Sequence, residues 1–304
     1  MSRFLSRRIL FIFSVCMLII FSIYLGMGMA GNSVNREPNY DVVDFGQLAW
    51  SHTRNYIEDL FNGDLGSIQH EQLGNITIWE LLKDSYINSM GLLFVALLAS
   101  TLLGTYIGSA AALIKNRQWV LALMVLTILG VSTPSFFAGL LLQQGELKYL
   151  DIFGRPLVKM AGFGWDFDHM LMPVLVLMAR PLAYLTRASF IALNRVMGEG
   201  YIQTAYSKGL YQRMVVNVHA LRNIAIPVLT AIGVSLRFSL STLPVVEFFF
   251  AWPGIGLRLL EAIGNRQERV VVTLALALGS TFLMINLLLD LSYRFIDPRL
   301  REEA

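Results

Sequence analysis

The residues able to do chemistry are few and scattered. The four histidines, His52, His70, His169 and His219, lie in loops or at the edges of long apolar runs. His70-Glu71-Gln72-Leu73-Gly74 begins as a zinc-protease helix does, but no second histidine stands four residues on, so one helix face cannot grip a metal. No Gly-x-x-x-x-Gly-Lys-Ser/Thr run is present, so the chain lacks the usual loop for cradling ATP phosphates. Asn75-Ile76-Thr77 fits a glycosylation acceptor, a tripeptide common by chance. Cys16 is the single cysteine and excludes an internal disulfide. No catalytic constellation emerges, and neither a metal nor a cofactor is expected on this chain. The conspicuous charges are those set in apolar surroundings: Arg180, Arg187, Arg237, Glu247 and Asp290. At mid-bilayer a charge is unfavourable by about 2.5–3.5 kcal/mol on insertion scales, so each needs water, a counter-charge or a passing ion.

The elements that hold these residues are long and apolar. Of 304 residues, 55% are hydrophobic and 15% charged, against about 25% charged in an average soluble domain. The net charge of +3 is too small to argue for nucleic acid. A hydrocarbon core roughly 30 Å thick needs about 20 apolar residues per helix. Six segments qualify: Ile9–Ala30, Met90–Ile114, Trp119–Leu142, Met170–Leu193, Ile224–Phe250 and Val270–Leu291. None alternates with period two, which excludes a membrane β-barrel. The chain reads as all-α, a polytopic membrane protein with six transmembrane helices. Arg3, Arg7 and Arg8 followed by Gly28-Met29-Ala30 resemble a secretion signal, but the apolar run exceeds the roughly 7–15 residues of such a core, so the first helix is expected to be retained.

Charge sets the direction. With the N-terminus inside, segments 1–8, 115–118, 194–223 and 292–304 carry twelve basic residues and four acidic ones. The outer loops carry nine basic and fifteen acidic residues. Both ends are therefore expected in the cytoplasm. The chain then divides into 1–30, a basic segment with the first helix; 31–85, an outer region; and 86–304, a core of five helices. The acidic outer region, with short helices expected at Asp44–Asn62 and Ile76–Lys83, reads equally as a lid or a docking surface. The inner segment 194–223 reads as helix Glu199–Lys208, a break at Gly209, and a resumed helical pattern over Leu210–Arg222. Such an arm can transmit force; the plain alternative is a basic loop that only fixes topology.

At this arm the sequence meets a known pattern. Gly200-Tyr201-Ile202-Gln203-Thr204-Ala205-Tyr206-Ser207-Lys208-Gly209-Leu210, followed by His219-Ala220-Leu221-Arg222-Asn223 and Ile226-Pro227, resembles the signature loop of binding-protein-dependent ABC permeases of the dipeptide/oligopeptide/nickel family. Four further matches stand in order: Gly63-Asp64-Leu65-Gly66-Ser67; Ser132-Thr133-Pro134-Ser135-Phe136; the run from Glu247 through Trp252-Pro253-Gly254-Ile255-Gly256; and Asn286-Leu287-Leu288-Leu289-Asp290 with Asp297-Pro298-Arg299. The long outer loop resembles that of the B-type subunit. There are departures. Tyr206-Ser207 stands for Arg-Ala, Arg266-Gln267-Glu268-Arg269 replaces an Asp-Tyr-Pro-like segment, and Gln143–His169 is short and lacks Leu-Pro-x-Ser-Gly.

The resemblance implies the type I ABC importer permease fold in a bacterial inner membrane. It implies as partners a C-type permease, two cytoplasmic ATPases carrying ATP and Mg, and an external solute-binding protein. Tyr201, Thr204, Ala205, Lys208, Gly209 and Leu210 match the family's ATPase-coupling motif. Glu247, Pro253, Gly254, Asn286 and Asp290 are implied to be scaffold. Arg180 and Arg237 are not basic in the family pattern; they either attract an anionic group of the solute or pair with the partner permease. Arg187 matches a family arginine near the cytoplasmic end, where its stem can reach the interface. A channel or a secondary transporter remains the other reading. A secondary transporter predicts internal repeats, of which the two halves show none.

Overall fold

The computed structural model describes residues 2–35, 42–70, 74–114 and 116–296. Lys115, Asp41, residues 71–73 of the His70–Gly74 run and the closing Asp297-Pro298-Arg299 lie outside them. The elements in order are α1 (Ser2–Asn35), α2 (Val42–Phe61), β1 (Ser67–His70), β2 (Gly74–Thr77), α3 (Ile78–Leu113), α4 (Arg117–Ser132), α5 (Ser135–Phe153), α6 (Phe167–Met197), α7 (Gly200–Ser207), α8 (Gln212–Met214), a π-helical turn at Val215–Ala220, α9 (Leu221–Phe249), α10 (Ile255–Gly264) and α11 (Glu268–Ile296). Among the described residues, five helices are long and apolar enough to cross a membrane: Ser6–Ala30, Ile78–Leu113, Phe167–Met197, Gln212–Phe249 and Glu268–Ser292. A sixth crossing requires α4 and α5 together.

That pair corrects the third expected span. Trp119–Leu142 is not one helix, because α4 stops at Ser132 and α5 leaves at 108°. Pro134 is the cause: its ring disfavours the α region for the preceding residue, and Thr133 is extended (φ −73°, ψ 123°). The outer region differs too. The expected helix over Asp44–Asn62 is present as α2, whereas β1 and β2, which were not anticipated, pair as an antiparallel hairpin from Ser67↔Thr77 to His70↔Gly74. The helix expected from Ile76 instead starts at Ile78, where Thr77 and Glu80 cap each other. Glu80 N–H donates to Thr77 Oγ1 and Thr77 N–H to Glu80 Oε2, both at 3.2 Å.

The chain forms two compact units. The first comprises 1–89 and 253–304. In it α1 lies along α11 and α2 packs on α1. Its apolar centres join Ile78, Val270 and Leu274 in one group, and Ile20, Tyr24, Tyr56 and Val272 in another. Polar ties reinforce them: Arg269 to Asp59 at 2.7 Å, and the buried Tyr56 hydroxyl to Thr273 at 3.0 Å. Arg8 pairs with Asp290 at 2.6 Å, so the N-terminal end of α1 meets the C-terminal end of α11.

The second unit comprises 90–252. Helix α6 is its hub and packs on α9, α4 and α5. Small residues allow the close approaches that hold helices together in lipid. A Cβ added at Gly108 of α3 would lie 2.2 Å from the Thr186 carbonyl oxygen of α6, and one at Gly104 would lie 2.8 Å from Leu185 Cβ. At the far end, Trp252 is fully buried edge-to-face with Phe163 and Trp165, at 5.0 and 5.4 Å between ring centroids. The buried Glu146 carboxylate holds the turn after α5, accepting from Leu157 N–H (2.6 Å) and Val158 N–H (3.2 Å). Asp166 opens α6, and its hydrogen bond to His169 holds its carboxyl below the usual carboxylate range.

Candidate functional site

The arm grows from the end of α6. Gly198 caps that helix with its N–H on the Arg195 carbonyl, the chain turns at Glu199, and the eight residues of α7 follow. A helix this short is not stable alone in water, so tertiary contacts must hold it. Ile202 and Ala205, three residues apart and hence on one face, supply them. They are buried with Leu193 of α6, Val215 and Ala220 of the π turn, and Ile224 of α9. Ile202 and Val215 are fully buried, each worth roughly 1.5–3 kcal/mol relative to exposure. One polar tie adds to this: Asn223 Nδ2 donates to the Tyr201 hydroxyl at 2.8 Å.

The end of α7 is closed by its own backbone. Gly209 has φ +78°. Its N–H donates to the Tyr206 carbonyl at 2.9 Å, and Leu210 N–H to the Ala205 carbonyl at 3.3 Å. These two bonds form a Schellman cap, and Leu210 packs back onto the Ala205 cluster as that motif requires. The expected break at Gly209 is therefore present. The arm itself is narrower than 194–223, because α6 continues to Met197 and the helix from Gln212 runs through the π turn into α9.

Of the six residues matched to the coupling motif, Tyr201, Thr204, Lys208 and Gly209 are exposed. Ala205 is buried and Leu210 half-buried, so these two position the arm rather than present a surface. Tyr206 and Tyr211 are also exposed, at 39% and 84%. An α-helical tip bearing tyrosines and a lysine, anchored from beneath by a dry apolar patch, can dock on another protein and move as one piece with α6 and α9.

The residues read as scaffold separate into several settings. Glu247 is fully buried, and its carbonyl accepts from Trp252 N–H at 2.8 Å. Asn88 and Ser89, which sequence reading missed, clamp the turn at Pro253-Gly254. Asn88 donates to the Pro253 carbonyl (3.0 Å), and Ser89 Oγ accepts from Ile255 N–H (2.7 Å). Asp290 pairs with Arg8, whereas Asn286 donates to its own helix at Phe282. The Gly104/Gly108 seam was also missed, although Gly-x-x-x-Gly in an apolar helix is a readable sign of close packing.

The basic residues of the spans differ in setting. Arg180 and Arg187 each line a cleft of the second unit, whereas Arg237 lines neither and has its Nε buried.

Comparison with known proteins places this architecture. Residues 74–302 match the family model described as binding-protein-dependent transport system inner membrane component. The chain is similar to the dipeptide transport system permease protein DppB of Escherichia coli K12, 30% identical over 84% of this chain and 81% of that protein. DppB of Alkalihalophilus pseudofirmus is 31% identical over 83% and 81%. The glutathione transport system permease protein GsiC of Salmonella paratyphi A is 34% identical over 81% and 78%. Since the family match runs over most of the chain and the relatives align over about four fifths of both chains, this protein belongs to the binding-protein-dependent inner membrane components, the non-catalytic permease subunits of ATP-driven importers.

Proposed function

We propose that the chain is the B-type permease of a peptide importer and forms half of its path beside a C-type permease. Two cytoplasmic ATPases, holding ATP and Mg, drive it, and an external binding protein delivers the solute. The observation that carries this reading is α7. It is a capped helix with Tyr201, Thr204 and Lys208 facing outward and Ile202 and Ala205 anchored against the roots of α6 and α9. In this reading α7 sits in a cleft of the ATPase, and closure of the ATPase shifts α6 and α9 through the shared apolar anchor. The dipeptide and glutathione relatives support small peptides as the solute class. The test is copurification and uptake. The chain, expressed with its neighbouring subunits, is expected to hold an ATPase through purification and to take up a dipeptide only with ATP. Uptake by the lone chain driven by an ion gradient sinks the proposal in favour of a secondary transporter.

The same reading places both ends in the cytoplasm. Leu60 in α2 and Tyr206 in α7 are exposed at 40% and 39%, so cysteines there are accessible. With Cys16→Ser as background, Leu60→Cys is expected to label in intact cells with an impermeant maleimide, and Tyr206→Cys only after lysis. Labelling of both from outside overturns the orientation.

A further inference from the structure

Two clefts follow one another along α6 in the second unit. The larger, about 550 Å³, is lined by Thr127, Ser132, Tyr184, Arg187 and Phe238 among others. The smaller, about 180 Å³, includes Thr133, Ser135, Arg180 and Thr242. Arg180 and Arg187 are seven residues apart, two turns of one helix face, or roughly 10.5 Å along the axis. Phe238 of α9 lies beside this track, with its ring centroid 5.9 Å from Arg180 Cζ and 6.5 Å from the Tyr184 ring.

The hydrogen-bond inventory of this track is one-sided. Neither arginine makes an ion pair among the described residues, and neither cleft has a carboxylate in its lining. Thr127, Thr133 and Thr242 donate their hydroxyl protons to carbonyls of their own helices. They therefore face the clefts as acceptors, and the strong donors there are the two guanidiniums. A guanidinium stays charged and presents a planar fork that fits a carboxylate bidentately. Arg180, at mid-span without an acid among the described residues, is stable only where water or an anion reaches it, and Arg187 extends the same helix face toward the cytoplasmic end.

We propose that Arg180 and Arg187 form a two-step ladder for the carboxylate of the transported solute, the C-terminal carboxylate of a short peptide. Phe238 and Tyr184 form the apolar wall beside it, and the threonine oxygens accept from the solute's N–H groups. This rests on the importer reading above and adds its substrate chemistry. It also replaces the pair Arg180 and Arg237, suggested by sequence, with a pair that shares one helix face.

The test uses the whole importer in proteoliposomes. Uptake of dialanine and of dialanine amide is measured at concentrations set to give equal wild-type uptake. The same binding protein delivers both solutes to every variant, so its own preference cancels. Arg180→Gln and Arg187→Gln are each expected to lower uptake of the free acid about tenfold while the amide stays within about twofold. Arg180→Lys and Arg187→Lys, which keep the charge but lose the fork, are expected to restore part of the acid uptake and to exceed the Gln variants. Equal loss of both solutes, or unchanged uptake of the acid, overturns the ladder. Loss of the assembled complex in the Gln variants also overturns it, in favour of ion pairs with the partner permease. Absence of ATP-dependent dipeptide uptake by the wild type sinks the importer reading instead.

Discussion

Gly209→Val is expected to leave the importer assembled and hydrolysing ATP while solute uptake falls at least about tenfold. A tenfold loss corresponds to about 1.4 kcal/mol, and the backbone strain is of that size before the lost cap is added. At φ +78° any L side chain costs about 1–2 kcal/mol, and a β-branched one is a clear outlier. No atom lies within 4 Å of the position a Cβ would take, so the cost is conformational and not a clash. The cap made by the Gly209 and Leu210 N–H groups is lost, and α7 has too few turns to persist without it. The α6–α9 packing beneath is untouched, which is why assembly survives. Gly209→Asn provides the control, since asparagine tolerates the left-handed region, and it should keep most of the uptake. Purified complexes in proteoliposomes, assayed for ATPase and uptake together, decide the matter. Wild-type uptake by the Val variant rules out a coupling role and leaves Gly209 as a helix stop.

The second large effect is expected at Gly108, where Gly108→Leu should abolish accumulation of the permease in the membrane. Even alanine there forces α3 away from α6, because the carbonyl oxygen that a Cβ would meet at 2.2 Å belongs to the backbone and cannot rotate aside. Overpacking of this kind costs about 1–3 kcal/mol. The helix-propensity gain of Gly→Ala returns only about 1 kcal/mol. Gly108→Ala should therefore lower the thermal stability of the detergent-solubilised complex. Gly145→Ala in α5, with open space around the added methyl group, should leave it equal or slightly higher. Normal membrane levels of the Leu variant would mean that α3 and α6 are not held at this distance.

Much of the site was legible because it depends on local chemistry. The break after Lys208 follows from a glycine that can take positive φ, and Ile202 with Ala205 lie on one face by helical spacing alone. What spacing does not reveal is which face is buried. The coupling motif was matched as six equivalent residues, yet Ala205 and Leu210 point inward and only the others are presented. That distinction depends on Val215, Ala220 and Ile224, which lie on a different helix. The hairpin was missed because four-residue strands are too short for period two to stand out, and their stability depends on pairing with each other and on packing Ile68 and Ile76 against the Ile78 cluster. Asn88 and Ser89 were missed because their partners at Pro253 and Ile255 are about 165 residues away in the chain.

By itself the sequence determined that this is a helical membrane protein with an arm between its fourth and fifth apolar segments. Apolar runs of bilayer length admit no other solution once every backbone group must be satisfied in lipid. It also determined where the helix of the arm must stop. Only the tertiary structure decided what each proline does. Pro134, Pro173, Pro181, Pro227 and Pro244 all sit in apolar segments, and each lacks the N–H of an ordinary helix residue. Four are absorbed within α6 and α9, which stay continuous and bury twelve and ten residues. Pro134 lies between helices that bury one residue, Thr127, and two, Gly139 and Glu146. Nothing there offsets the lost hydrogen bond and the ring's steric demand, so the chain turns. The placement of Arg180 and Arg187 was decided in the same way: helical spacing put them on one face, but only the approach of α4 and α9 made that face a cleft.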